Sequence, residues 1–147
     1  MTAAPAANQS VKENSIVNPE NFGKARELRS RLLGKTHTDK VLATEDPTDL
    51  AVQELVTEFA YGAVWSRPGL PIQTRSLLTL VLLAWQNRMD VLKQHVGGAH
   101  NMGVPREQIL EALIHILPYC GVPAMVGSVA AAKAVFRERD EADPKQS

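Results

Sequence analysis

The stretch Ile72-Gln73-Thr74-Arg75-Ser76-Leu77-Leu78-Thr79-Leu80-Val81-Leu82-Leu83-Ala84-Trp85-Gln86 decides the fold class. Wound at about 100° per residue, it is apolar almost all round, the pattern of a helix buried among other helices rather than lying on a surface. Its polar residues Arg75, Thr79 and Gln86 fall in one narrow stripe, within about 40° of one another. The apolar run from Leu77 to Trp85, interrupted only by Thr79, is too short to span a bilayer, which needs about 18 or more apolar residues.

Working outward, Ser66-Arg67-Pro68-Gly69-Leu70-Pro71 is a turn, because its prolines and glycine break any regular element. Upstream of it a helix starts near Thr48 and carries Val52, Leu55, Val56, Phe59 and Ala63 at helical spacing, which predicts that this face is buried. An earlier helix is signalled by Asn18-Pro19-Glu20, a capping side chain followed by proline and an acid in the first turn, and it runs to Leu33 before Gly34. The residues Lys35 to Asp46 read as a polar connection. Downstream, helices are expected over Asp90–Met102, Pro105–Cys120 and Pro123–Arg139, with Gly103 placed as a C-terminal cap. No strand alternation and no internal repeat is present. The expected fold is all-α, a single-domain bundle of about six helices over residues 18–139. Residues 1–17 are expected to form a disordered tail, and Asp140 to Ser147 a short frayed end.

The composition narrows the function. The 147 residues include 16 basic and 16 acidic side chains, so the formal net charge is 16 − 16 = 0. That balance argues against a general nucleic-acid binder, which needs surplus Lys and Arg to meet phosphates. Hydrophobic residues at 44% and charged residues at 22% describe an ordinary globular chain. Met1 to Val17 lacks the basic end and apolar stretch of a secretory signal, so a cytoplasmic location without membrane partners is expected. Cys120 is the single cysteine. It therefore supplies no internal disulfide, no Cys-x-x-Cys pair and no multi-cysteine zinc site.

Some polar residues sit where the apolar periodicity predicts burial. His95 falls near the middle of the arc formed by Val91, Leu92, Val96, Ala99 and Met102. It is either a core histidine satisfied by a carbonyl or carboxylate, or a buried acid/base that titrates near neutral pH. His100 projects to the polar side of the same helix and reads as solvated, and His37 lies in the polar connection. His115 is flanked at i−4 and i+4 by Glu111 and Tyr119, a trio suited to a hydrogen-bonded edge, a subunit contact or the rim of a site. Glu58 lies about a quarter-turn from the apolar face of its helix, beside Ala51 and Gly62. Arg75, entering a buried helix, requires an anion, either a protein carboxylate or a substrate carboxylate. Arg67 stands in the turn, next to Trp65, which either lines a pocket or closes the core. No metal-ligand spacing, phosphate-cradling loop or nucleophile elbow occurs.

These blocks resemble the carboxymuconolactone decarboxylase family over roughly Phe22 to Arg139. The words that carry the resemblance run from Thr57-Glu58-Phe59-Ala60-Tyr61-Gly62-Ala63-Val64-Trp65-Ser66-Arg67-Pro68-Gly69-Leu70 through Arg75-Ser76-Leu77-Leu78-Thr79-Leu80. Arg88, Leu92, His95-Val96, Asn101-Met102-Gly103-Val104 and Tyr119-Cys120-Gly121-Val122-Pro123-Ala124 complete them. The chain departs from the usual pattern at Trp85-Gln86-Asn87-Arg88, where Ala-Leu-Gly-Arg is common, and at Met125-Val126, where Ala-Asn is common. An alkylhydroperoxidase-like sister branch places Cys-x-x-Cys before the matching histidine; Asn87 to Gln94 has no thiol.

The resemblance implies an all-α protomer, assembly into ring-shaped homo-oligomers (typically hexamers), no cofactor, and conversion of 4-carboxymuconolactone to 3-oxoadipate enol-lactone and carbon dioxide. In that reaction the leaving carboxylate is joined through the ring double bond to the lactone carbonyl. Carbon dioxide loss pushes electrons into the carbonyl, and the resulting dienolate takes one proton. A protein serving this reaction holds a dianion, shields it from water, stabilises the oxyanion and delivers the proton. His95 is the expected donor, with Glu58 orienting it, or the two exchange roles. Arg67 and Arg75 suit carboxylates, and Trp65, Arg88, Tyr119 and His115 are further candidate substrate contacts. Two other readings stand beside this one: a relative acting on a different lactone or oxo-acid as a tailoring enzyme, and a non-enzymatic binder of small anions.

Overall fold

The computed structural model describes residues 19–143. The expected tail over 1–17, the capping Asn18 and the final residues 144–147 lie outside them. The described residues are mostly helical, joined by short turns, and contain no strand. In chain order they form α1 (Pro19–Leu33), α2 (Lys35–Leu42), α3 (Pro47–Leu55) running directly into a π-helical segment (Val56–Trp65), α4 (Ile72–Trp85), α5 (Met89–Asn101), α6 (Arg106–His115), α7 (Leu117–Cys120) and α8 (Val122–Ala142). The all-α expectation holds, and none of these helices is long and apolar enough to cross a membrane.

Helices α4 and α5 form a hairpin that packs on α6 and α8. Their buried faces meet in the main core, built on Leu80, Ala84, Leu92, Val96, Ala99, Ile109, Leu113, Ala132 and Phe136. Cys120 packs at the edge of this core as a free thiol. A smaller cluster of Ala25, Leu32, Tyr61 and Met102 joins α1 to the π segment and to the end of α5. The α4–α5 turn and the end of α5 close in the same manner. Asn87 and Gly103 take positive φ, and the following Arg88 and Val104 amides reach back to the carbonyls of Leu83 and Ala99 at 3.0 Å each. That five-residue return satisfies carbonyls the helix leaves open.

Several sequence expectations need correction. Lys35–Leu42 is a helix rather than a polar connection, with Lys35 and Arg26 both paired to Asp39. The expected single helix Pro105–Cys120 breaks at Ile116, because Pro118 has no amide hydrogen to carry the α ladder through. The last helix continues to Ala142 instead of fraying at Asp140, which is held bidentately by Arg106 at 2.6 and 3.0 Å. Helix α4 is not buried all round: Leu78, Leu82 and Trp85 form an exposed stripe.

The largest difference lies in α3 and the π segment. Asp46 caps α3 by accepting from the amides of Thr48 and Asp49 at 2.8 and 2.9 Å. Val52, Leu55, Val56 and Phe59, expected inside, are exposed, with Phe59 at 72%. The face turned inward is polar: Arg29 of α1 is 4% exposed and donates to the Thr57 hydroxyl and the Gln53 side chain at 2.8 and 2.7 Å. Gly62 permits this approach, since a Cβ there would lie 2.8 Å from Asn21 Nδ2 and 3.3 Å from Ala25.

Candidate functional site

The π segment positions the first part of the site. Its winding is registered by Ser66, whose amide donates to the Tyr61 carbonyl, five residues back, at 3.2 Å. A π-helix has about 4.4 residues per turn, so Thr57, Tyr61 and Trp65 follow one another along a single face. Thr57 and Tyr61 are buried, and Trp65 is half-buried at the end of the row. From α5 the His95 ring meets Trp65, with centroids 6.4 Å apart and planes tilted by 30°. His95 thus points into the protein, as its place in the apolar arc predicts. Burial pushes its imidazole below the ordinary value of 6.5, and no charged neighbour contributes to the shift.

The arginines arrive by chain continuity. Arg67 follows Trp65 by two residues, so their backbones lie within about 7 Å. Arg75, one turn into α4, donates from Nη2 to the Arg67 carbonyl at 2.9 Å and so ties the turn to the helix. Its carbonyl in turn accepts from Thr79 Oγ1 at 2.9 Å. The Nε of Arg75 is buried and has no hydrogen-bond partner, and no carboxylate among the described residues pairs with this guanidinium. Of the two anions that Arg75 could require, the protein carboxylate is therefore not found among the described residues. Trp65 and His95 meet between the π segment and α5, with Arg67 two residues along the chain from Trp65 and Arg75 bonded back to the Arg67 carbonyl.

The other candidates are not brought to this junction within one chain. Glu58 lines a shallow cavity of about 280 Å³ with Asn21, Leu55, Phe59 and Ala63, and it is not among the partners of His95. The reason is the winding. At about 100° per residue, positions 58 and 65 share a face, whereas at about 82° per residue they fall on opposite faces. Arg88 is exposed beyond the far end of α4, whose last residue Trp85 is about 15 Å of helical rise from Arg75, and sits 3.4 Å from Asp90. His115 and Tyr119 form an exposed ring pair, with centroids 5.6 Å apart, across the α6–α7 break.

Sequence reasoning missed what stands behind Trp65. Tyr61 lies 6.1 Å from the indole, and the Arg29 guanidinium lies 5.6 Å from the Tyr61 ring. The shared spacing of Thr57, Tyr61 and Trp65 was the available signal, legible only with π winding. His100, expected in solvent, instead packs its Nδ1 3.2 Å from Arg139. Together with Arg106, Asp140, Ala142 and Asp143 they line a cavity of about 320 Å³. Its cations are already engaged, Arg106 by Asp140 and Arg139 by Gly97, Asn101 and His100. This cluster clamps α5 to α6 and α8. No group of acids, histidines and cysteine suited to a metal ion occurs among the described residues.

The sequence pattern of the carboxymuconolactone decarboxylase family matches residues 51–134, which include Trp65, Arg67, Arg75 and His95. Among curated proteins the chain is 34% identical to the 4-carboxymuconolactone decarboxylase of Acinetobacter baylyi over 119 residues, covering 81% of this chain and 89% of that one. It is 40% identical to the nitrosuccinic acid decarboxylase of Metarhizium robertsii over 105 residues, covering 71% and 73%.

Proposed function

The chain belongs to the carboxymuconolactone decarboxylase family, and on that footing we propose that it is a carboxy-lyase acting on a small dianion that supplies its own electron sink. The observation that carries this reading is the buried, unpartnered Nε of Arg75 beside the turn that leads from Arg67 back to Trp65 and His95. A guanidinium nitrogen buried without a carboxylate among the described residues supports a role in holding a substrate carboxylate, and the partly buried His95 imidazole supports a role in proton transfer.

The proposed substrate is 4-carboxymuconolactone or a closely related lactone acid. Its ring carboxylate leaves as carbon dioxide. The bonding pair moves through the ring double bond to the lactone carbonyl, and His95 protonates the dienolate on the carbon beside that carbonyl. His95 then regains its proton from water. Arg67 and Arg75 hold the carboxylates and oppose the charge building on the lactone oxygen. A second reading is favoured by the nitrosuccinic acid decarboxylase relative. In a nitro acid the same electron pair moves into the nitro group, and the nitronate is protonated on carbon. Both reactions ask the same of the protein.

Supplying 4-carboxymuconolactone and nitrosuccinate side by side, with ultraviolet absorbance and carbon dioxide release as readouts, tests the proposal. Turnover of the lactone is expected, and His95→Ala is expected to lose about 10²- to 10⁴-fold in kcat while remaining folded. Binding without turnover of either acid overturns it in favour of an anion-binding role, and neither binding nor turnover points to another substrate class. Comparing the pH–rate profiles of Glu58→Gln and His95→Asn decides which of the two groups is the acid. Homo-oligomeric assembly, hexameric by the family resemblance, is also proposed. It is supported by the exposed apolar side chains of α3, the π segment and α4. A monomer by light scattering at micromolar concentration overturns it.

A further inference from the structure

Trp65 has an aromatic ring on either side. Its indole lies 6.1 Å from Tyr61 and 6.4 Å from His95, tilted by 30° to each. Both separations fall within the range of interacting rings, about 4.5–7 Å between centroids. Behind Tyr61, Arg29 is fixed by Thr57 and Gln53, so the row from α1 to α5 is anchored at its far end. The face of an indole is electron-rich and attracts a cation more strongly than it attracts the neutral form of the same group.

We propose that Trp65 is a positioning residue of the reaction: its indole fixes the His95 ring and favours the protonated imidazolium, the form that can donate the proton. This assigns to an aromatic ring the task expected of the Glu58 carboxylate, and it rests on the reading of His95 as proton donor. Several charged groups of the elements around α5 make their contacts away from His95. Arg29 of α1 faces Tyr61 and Thr57, and Arg75 of α4 binds the Arg67 carbonyl. Arg106 of α6 holds Asp140, and Arg139 of α8 holds Gly97, Asn101 and His100. On α5 itself, Asp90 meets Arg88, and Lys93 is exposed. Burial opposes the charged imidazole, and the indole, with its centroid 6.4 Å from that of His95, is the aromatic neighbour proposed to act in the other direction.

The chain has two tryptophans, so the full-length Trp85→Phe protein leaves Trp65 as its sole indole. Replacing that indole with fluorinated tryptophans withdraws electrons from the ring face while keeping its shape. His95 is titrated by NMR, with His95→Asn identifying its resonance. The His95 pKa is expected to fall with each added fluorine, by about half a unit to one unit in all, and kcat at neutral pH to fall in parallel at constant KM. Trp65→Leu is expected to shift the pKa the same way. An indole that merely fills space gives the opposite sign, because water entering the vacated volume raises the pKa toward 6.5. A pKa unmoved by fluorination, or raised in Trp65→Leu, overturns the proposal. Full turnover in His95→Asn overturns the proton-donor reading instead, so the two failures are distinct.

Discussion

Helix α5 turns Leu92, Val96 and Ala99 into the bundle, whereas the rod formed by α3 and the π segment turns Val52, Leu55 and Phe59 out of it. The rod keeps Gln53, Thr57 and Tyr61 against Arg29 instead. Both elements are amphipathic, and their apolar stripes are equally legible in the sequence. The difference teaches what such a stripe means. It marks a face that gains from leaving water, without saying whether its own chain or another copy provides the cover. On α5 the cover is α1, α4, α6 and α8; on the rod it is, in the oligomer we propose, a neighbouring protomer.

The comparison can be broken most directly by truncating one residue on each side. Leu92 is fully buried in the main core. Leu92→Ala is expected to cost about 2–5 kcal/mol in urea unfolding, through lost transfer energy and the cavity left behind. Phe59 is 72% exposed. Phe59→Ser is expected to leave the stability of the isolated protomer within about 0.5 kcal/mol. Its effect belongs in the particle mass, and in a midpoint that no longer rises with protein concentration. If Phe59→Ser destabilises a dilute protomer as much as Leu92→Ala does, the outward face has been misassigned.

The legible and illegible parts of the chain divide along the same line. Where burial is apolar and winding is α, the sequence placed the elements well: Gly34 ends α1, Gly103 caps α5, and His95 lies inside the arc its spacing described. The N-terminal half buries Arg29, Thr38 and Thr57, residues whose composition reads as surface. The α2 sequence Lys35-Thr-His-Thr-Asp-Lys-Val-Leu42 is polar for the same reason, with its Thr38 buried against neighbouring helices. The change from α to π winding inside Val56–Trp65 leaves no mark that an assumed 100° period would detect. It separated Glu58 from Trp65, and with it the expected carboxylate–imidazole pair. Trp65 and Arg67 stay close because they are neighbours at the turn, and Arg75 binds back to that turn through the Arg67 carbonyl.

Protonation sharpens the comparison at the seam between the halves. His37, His95 and His100 all have pKa values lowered from 6.5, with burial as the leading cause in each. For His37 and His100, nearby Arg side chains add to the effect. The unfolded chain therefore binds more protons than the folded one over the interval below 6.5. The associated stability is fully present above about pH 6.5 and is lost as pH falls through the lowered folded values. Urea midpoints are expected to decline on acidification through this window, and His95→Asn to make the decline shallower. A midpoint that is flat or rises between neutrality and pH 5 contradicts these lowered values.

The smallest expected effect comes from the hairpin that joins the legible helices. Asn87 has φ of 57°, the only positive value at a non-glycine position among the described residues, and it stands where the family pattern commonly has glycine. The departure is conservative in backbone terms. The Asn87 amide donates to Ala84 at 3.1 Å and that of Arg88 to Leu83 at 3.0 Å, so the left-handed residue closes α4. Asparagine tolerates that conformation better than any β-branched or alkyl side chain. Asn87→Ala is accordingly expected to cost about 1 kcal/mol, from steric strain at positive φ. Asn87→Gly relieves the strain but adds freedom to the unfolded chain, so its net change is expected to be only a few tenths of a kcal/mol. Equal urea midpoints for the alanine and glycine variants would mean that the turn does not hold this conformation in solution. If alanine alone is costly while turnover is unchanged, the Trp85-Gln86-Asn87 departure is a solution to helix closure and not a change in substrate.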